Sequence, residues 1–306
     1  MPGASDFFEQ GVLNYLSGSL AMPALPPIFL GLFTVAPTSD AGTGGTEVTT
    51  VATNYARQQI AGSLTTNATT ASGNNTLHFA SVPSWILGPS GTGVVGMQIR
   101  DATSAAVIPA NTTLVSATAT TVVMSNNAAG AGVGGTDVIT FSCFAPAVAS
   151  ANNPEPTTTP GSITNTNAIV TMNQSTGSWG TVIFFGLFDA VTSGDYLAGD
   201  YIGAFNWIPF TCSSATPGVL TTDVAGDVPT NGSSVVVTAK YGGTLPTGMT
   251  GSGGLLTTAG SSANTFNVGV NTTSTGAGEF RQVTQQIIGN NTTPSFATGQ
   301  LTVKLA

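Results

Sequence analysis

Two stretches of the chain carry nearly the same apolar line. Residues 28–33 read IFLGLF and residues 183–188 read IFFGLF, and a Thr-Ser pair follows each within a few residues. A short apolar run that is rich in aromatic residues and ends in turn-forming residues is typical of a strand buried on both faces. We therefore predict two central strands of one β-sandwich, in which Gly31 and Gly186 allow an aromatic ring or a backbone to approach closely.

The rest of the chain favours strands as well, because β-branched residues dominate and clusters of Ser, Thr, Gly and Asn separate the apolar runs. Predicted strands lie within residues 54–62, 75–82, 112–125, 136–144, 167–174, 233–241, 264–270 and 300–306. One helix is predicted at the N-terminus, where Asp6 and Glu9 resemble a capping box and Gly18 and Pro23 end the segment. The sequence therefore predicts an all-β fold with one short N-terminal helix.

Composition narrows the functions open to such a fold. Only 6% of the 306 residues are charged, against about 25% in an average soluble protein. A surface of hydroxyls and amides repels its neighbours weakly, which suits a subunit packed into an assembly. The net charge is -8 and the five basic residues are scattered, so we expect no binding to nucleic acid.

The sequence also indicates neither export nor membrane insertion. The start, MPGASDFFEQ, lacks the basic residues and the apolar core of a signal peptide. The longest apolar stretch, residues 21–37, is interrupted by prolines and is not a membrane-spanning helix. We expect the chain to be made in the cytoplasm without export machinery.

Few side chains offer catalytic or metal-binding chemistry. His78 is the single histidine, and strand alternation places it on the face opposite Leu77 and Phe79. Without a GxSxG motif, it is interpreted as a surface residue of a strand. Zinc needs several His or Cys ligands, and the cysteines are only Cys143 and Cys212. They are predicted as buried thiols at strand ends, and a disulfide between them stays open.

Two glycine-rich segments match the dinucleotide pattern GxGxxG, at residues 91–96 and 130–135. Neither lies between a strand and an opening helix, so both are interpreted as turns.

Asp189, Asp195 and Asp200 follow the second apolar line. We interpret Asp189 as the cap of a turn, while a calcium site or an acid and base for glycan hydrolysis are the alternatives. We expect no enzymatic activity, no cofactor and no metal.

Three segments, in order along the chain, resemble a family of tailed-bacteriophage tail-fibre proteins. They contain the first Gly-Leu-Phe line with NYARQQI, then SWGTVIFFGLFDAVTSGDYL, then SFATGQLTVKLA, and they cover about residues 6–82, 164–202 and 280–306. Two further blocks, which contain IPANTTLVSATATTVVMSNNA and GDVPTNGSSVVVTAKYGGTLPTGM, resemble small β-modules of phage virion proteins. The resemblance implies a structural component of the virion and names no catalytic residue.

This resemblance implies a discontinuous, jelly-roll-like β-sandwich with two inserted β-modules. The parent domain comprises residues 1–85, 164–208 and 271–306, and the modules comprise residues 86–144 and 209–270. Residues 145–163, which are rich in Pro, Ala, Ser and Asn, form a linker.

The implied function is that of a tail fibre or of a tail-associated protein that anchors a fibre. The alternatives are a capsid decoration or a head or collar fibre, and a receptor module that binds host glycans. Candidate stacking faces for a glycan are Trp85, Trp179, Trp207 and Tyr196.

Other virion proteins and further copies of the chain are the expected partners. Symmetric association would cover apolar faces and open sheet edges, and the fibre resemblance favours a homotrimer. Arg57 is predicted to pair with Asp189 or with an acidic group across a subunit contact, and a solvated arginine is the alternative. The structural or interface candidates are Phe29, Gly31, Phe33, Arg57, Gly186, Phe188 and Asp189.

Overall fold

The computed structural model describes most of the chain. It covers residues 3–4, 10, 17, 27–39, 41–104, 106–144, 162–165, 168–203, 207–239, 244–249 and 254–304. The predicted N-terminal helix and nearly all of the predicted linker lie outside the described residues.

Strands dominate the described residues, and the predicted all-β fold is confirmed. The strands of the first half are β1 (Gly3–Ala4), β2 (Ile28–Val35), β3 (Thr46–Glu47), β4 (Gln58–Ala68), β5 (Thr76–Phe79), β6 (Gln98–Asp101), β7 (Leu114–Ala117), β8 (Thr121–Met124), β9 (Val138–Ser142). Those of the second half are β10 (Ser162–Thr164), β11 (Val170–Thr171), β12 (Gly180–Val182), β13 (Phe184–Phe188), β14 (Tyr196–Tyr201), β15 (Ile208–Cys212), β16 (Val219–Thr222), β17 (Ser234–Thr238), β18 (Leu256–Thr257), β19 (Thr265–Asn267), β20 (Gly276–Val283), β21 (Gln286–Ile288), β22 (Ser295–Phe296), β23 (Thr302–Lys304).

Two antiparallel sheets contain most of these strands. The larger sheet has eleven strands and runs β1-β14-β13-β2-β4-β5-β8-β7, with β3 beside β2 and with β9 between β4 and β6. The smaller sheet has six strands in the order β18-β17-β20-β15-β16-β19. The remaining strands form three two-stranded ladders, β10-β23, β11-β22 and β12-β21.

Strand β4 connects the two parts of the larger sheet. Its 11 residues give it room for three partners in succession. Its first residues pair with β2, its centre pairs with β9, and its end pairs with β5. The apolar line that begins at Ile28 and strands β6 to β9 therefore belong to one continuous sheet.

One short helix, α1 (Ser84–Leu87), lies among the described residues. The sequence analysis did not predict it, because a single turn is too short to display a helical period. It follows Pro83 and ends at Gly88, whose φ is 66°. A residue without a Cβ adopts this left-handed conformation at little cost.

Strand pairing crosses the limits proposed for the modules. β5 pairs with β8, and β20, in the predicted closing part of the parent domain, pairs with β15 and β17. The division into a parent domain with two inserted modules stays a prediction.

Buried apolar side chains form three clusters. The largest packs mainly against the larger sheet and includes Leu30, Leu77 and Phe141. A second cluster, with Phe210 and Phe266, belongs to the smaller sheet. The third contains residues of both sheets and is described below. No helix among the described residues has the length and the apolar character needed to cross a membrane.

Candidate functional site

The two Gly-Leu-Phe lines are neighbours in the larger sheet. β2 and β13 pair antiparallel over five residues, and Gly31 lies directly opposite Gly186. β2 has β4 and β3 on its other side, while β13 has β14. The two lines are thus central strands of one sheet, as the sequence predicted, and the repeat places the same residue types in register.

This register gives the strand pair two different faces. On one face Leu30, Leu32, Phe185 and Leu187 belong to the large core of the larger sheet. On the other face a Phe-x-Gly-x-Phe pattern occurs in both strands, at residues 29–33 and 184–188. Because side chains alternate along a strand, the repeated line buries two faces at once, one mainly aliphatic and one aromatic.

We call the second face the aromatic face. It contains the phenylalanines of that pattern and Tyr196 and Tyr201 of β14. Val236 and Val283 of the smaller sheet pack against them. The rings of Phe33 and Phe188 stack with centroids 6.0 Å apart, and Phe184 meets Phe33 edge to face at 5.9 Å. The aromatic face is therefore the apolar junction between the two sheets.

The two glycines make room for these rings. A Cβ on Gly186 would lie 3.0 Å from ring carbons of Phe33, Phe188 and Tyr196. A Cβ on Gly31 would lie 2.9 Å from the Glu47 carboxylate and 3.0 Å from the Phe188 ring. Such distances are tighter than nearly all Cβ contacts in a close-packed interior, so a larger residue at either position must displace the rings or the Glu47 carboxylate.

A largely buried arginine covers one end of the aromatic face. The Arg57 guanidinium donates two parallel hydrogen bonds of 2.9 Å to the Glu47 carboxylate, and its central carbon lies 3.3 Å from the centroid of the Phe188 ring. Its Nη1 also donates to the carbonyls of Ala190 and Ser193, at 3.1 and 2.6 Å. Arg57 thus holds the turn after β13 against β3 and β4.

Tyr55 extends this network into the sheet. Its hydroxyl donates to Glu47 at 2.7 Å and accepts from the backbone N–H of Leu32 at 2.8 Å. Burial, together with the nearby Glu47 carboxylate, raises the pKa of the Tyr55 phenol well above its ordinary value. The hydroxyl therefore stays protonated and supplies β2 with a hydrogen-bond partner.

The predicted pairing of Arg57 with Asp189 is wrong. The Arg57 side chain is only 10% exposed and pairs with Glu47, so the solvated alternative is wrong as well. Asp189 accepts a hydrogen bond of 2.7 Å from the backbone N–H of Asp195. This is the predicted turn cap, and it shapes the loop whose carbonyls Arg57 binds.

A second buried arginine joins the two sheets. Arg281 of β20 forms an ion pair with Asp200 of β14, and their side chains are 1% and 11% exposed. The guanidinium also donates to the Tyr201 carbonyl at 3.3 Å and lies 5.5 Å from the Trp207 ring centroid. Asp200 therefore neutralises a buried cation at the junction.

The remaining candidates are distributed over the fold and do not converge on one site. Cys143 and Cys212 are free and buried, and burial raises the pKa of the Cys143 thiol to about 12. His78 is half-exposed on β5 between buried Leu77 and Phe79. Among the residues described, no three His, Cys, Asp or Glu side chains come together.

The glycine-rich segments at 91–96 and 130–135 form turns and loops, as predicted.

The four candidate stacking residues have different surroundings. Trp179 and Tyr196 are buried, and the Trp179 indole N–H donates to the carbonyl of Thr53 at 2.8 Å. Trp85 and Trp207 are only partly buried, so Trp85 and Trp207 retain accessible surface.

The sequence analysis missed Glu47, Tyr55 and Arg281. Scarcity of charge was an available signal, because each charged side chain that folding buries needs a partner of opposite charge. The identity of each partner depends on strand register, which the sequence pattern did not supply.

No curated protein and no solved structure is significantly similar to the chain. Residues 3–122 match a protein-family model, Gp80, described as the podophage GP4 fiber I protein gp80. The match includes the first apolar line and NYARQQI, while the other two segments of the predicted resemblance lie outside it. The predicted resemblance to a phage tail-fibre protein family is confirmed: over residues 3–122 the chain is similar to this podophage fibre family.

Proposed function

We propose that the chain is a non-enzymatic structural subunit of a tailed-phage virion, acting as a tail fibre or as the protein that anchors a fibre to the tail. The observation that carries this proposal is the match of residues 3–122 to a phage fibre family. A phage fibre family makes a virion component the expected role. We propose the tail as the position of the chain in the virion.

The buried network fits a structural role. Two sheets share one aromatic junction, and Arg57 and Arg281 bind backbone carbonyls as well as carboxylates. A site with few mobile charged groups and tightly packed rings resists deformation. Of the three aspartates named as a possible acid and base, Asp189 caps a turn and Asp200 forms an ion pair.

The working form is proposed to be a homo-oligomer, with three copies suggested by the fibre resemblance. Large apolar side chains are exposed on several strands and loops, and Ile287 of β21 is 79% exposed. Contact with further copies or with other virion proteins would cover such side chains. Assembly is expected in the cytoplasm of the bacterial host.

Immunogold labelling of intact virions tests the assignment. We expect gold particles at the tail, and label confined to the head or collar would support a decoration or head-fibre protein instead.

Incubation with host capsule or lipopolysaccharide tests the absence of catalysis. Steady release of reducing ends that Asp189→Asn abolishes would contradict a non-enzymatic role.

A further inference from the structure

A groove beside Trp85 has the lining of a carbohydrate site. Its volume is about 410 Å³, within the usual range for small-molecule pockets. It lies between the start of β4, helix α1 and the segment that follows β11. The side chains that give it its character are those of Gln58, Gln59, Ser84, Trp85, Asn173 and Gln174. We call this the Trp85 groove.

Trp85 presents a fixed aromatic surface. Its ring packs edge to face against Phe141, with centroids 6.3 Å apart. Gly62 lies against the ring edge, where a Cβ would be 3.3 Å from Trp85 Cζ2. Among the residues that the structure describes, none accepts a hydrogen bond from the Trp85 indole N–H. The ring is therefore held by packing while its polar atom stays available to a ligand.

The amide side chains of the groove have unused hydrogen-bonding capacity. Gln58 and Gln59 donate weakly to nearby carbonyls, at 3.3 and 3.2 Å, and within the described part of the chain their side-chain oxygens accept nothing. Asn173 is exposed, and its side chain makes no hydrogen bond to a described residue. An amide carries both donors and an acceptor, so this cluster matches a ligand whose groups also do both.

The lack of charged side chains in the groove narrows the class of ligand that it can bind. None of its described lining residues is charged. A phosphate, a nucleic acid or an acidic glycan would lack a cation partner there, and a cationic ligand would lack a carboxylate. Sugar hydroxyls donate and accept as amides do, and the C–H face of a sugar ring packs on a flat aromatic surface.

We propose that the Trp85 groove binds a neutral saccharide. Trp85 stacks on the apolar face of one sugar ring, while Gln58, Gln59 and Asn173 bind its hydroxyls. This adds a recognition role to the architectural one, and either role can fail without the other.

A glycan array of neutral and acidic oligosaccharides, followed by titration of the best neutral oligosaccharide, tests the proposal on the full chain. We expect binding to neutral glycans only. Trp85→Ala should weaken it at least tenfold, and Asn173→Ala by several-fold. Since Trp85 also contacts Phe141, thermal unfolding of each variant separates lost binding from lost folding.

Asn271→Ala is the matched control. Asn271 is an exposed asparagine outside the groove, so its removal should leave the affinity unchanged. The proposal is overturned if no neutral oligosaccharide binds at millimolar concentration, or if acidic glycans alone bind. It is also overturned if Trp85→Ala and Asn173→Ala, both folded, bind as well as the wild type. Gold labelling of the virion is independent of all these outcomes.

Discussion

Arg57 and Arg281 are two of only five basic residues in the chain, and they stabilise different levels of the structure. Each pairs with a carboxylate, lies over an aromatic ring and donates to a backbone carbonyl. Arg57 connects elements within one sheet and has a partner that is 25% exposed. Arg281 connects two sheets and is 1% exposed.

The depth of each ion pair sets how much its loss should destabilise the fold. An exposed ion pair contributes little, whereas a buried cation that loses its partner, or a carboxylate that loses its cation, is costly. The deeper pair at the sheet junction should therefore be the more sensitive of the two.

Breaking the junction pair should have the largest effect. Arg281→Met leaves the Asp200 carboxylate buried without its cation, and we expect the free energy of unfolding to fall by about 3 to 5 kcal/mol. Denaturant unfolding measures this loss. The double variant Arg281→Met, Asp200→Leu should recover most of it, because no buried charge remains. A single variant as stable as the wild type would remove the junction pair from the account.

Filling the space between the rings should come next. Gly186→Ala places a Cβ 3.0 Å from three aromatic rings, and we expect a loss of about 1 to 3 kcal/mol from overpacking. Gly289→Ala is the matched control, since nothing lies within 4 Å of its added Cβ. Equal stability of the two variants, measured by thermal unfolding, would mean that the aromatic face can yield.

The Arg57 network should be less sensitive. Arg57→Lys keeps the charge but loses the two parallel hydrogen bonds to Glu47 and one or both turn carbonyls. We expect a loss of about 1 kcal/mol, the net scale of one ordinary hydrogen bond, because the lysine keeps the charge beside Glu47. Hydrogen exchange should show faster opening of the turn at residues 190–193. A loss larger than that of Arg281→Met would reverse the ranking of the two arginines.

Asp101 provides the contrasting case of a buried carboxylate without an arginine. Its Oδ1 accepts from the N–H groups of Thr103 and Ser104, both at 2.8 Å. Its Oδ2 is buried without a donor among the described residues. Burial raises the pKa of Asp101 above its ordinary value, and the neighbouring Asp137 raises it further, against the effect of the two N–H groups.

Such a carboxyl holds its proton more tightly in the folded state, so its stabilising contribution is present below its unfolded pKa and is lost as the pH rises through its folded pKa. Asp101→Asn puts a donor where the orphaned oxygen lies. We expect a gain of about 1 kcal/mol at pH 7 that vanishes near pH 3, measured by denaturant unfolding at both values. Destabilisation at pH 7 would contradict this view of Asp101.

The repeated line was enough to predict two central strands, because a doubly buried aromatic run has few other places in a β fold. Strand β20 was missed although it is central to the smaller sheet. Gly276, Gly278 and two charged residues lower its strand propensity, and pairing with β15 and β17 overrides that preference. Salt-bridge partners were missed for a related reason, since a shift of one residue in register changes which side chains meet.

The tryptophans mark another limit of the sequence. Trp85 and Trp179 have similar local sequences of small and apolar residues, yet one borders a groove and the other is buried. The neighbours that decide burial come from distant segments, such as Thr53 beside Trp179. A candidate surface site could therefore be named from the sequence, but only the fold selected among its members.

We propose that this chain is a structural subunit of a phage tail, and a cryo-electron-microscopy reconstruction of the intact virion would show where the chain lies. We predict density at the tail into which both sheets fit, with the aromatic junction intact and with three copies around one fibre axis. Density for the chain on the capsid surface alone, or a virion that lacks the chain, would contradict the account.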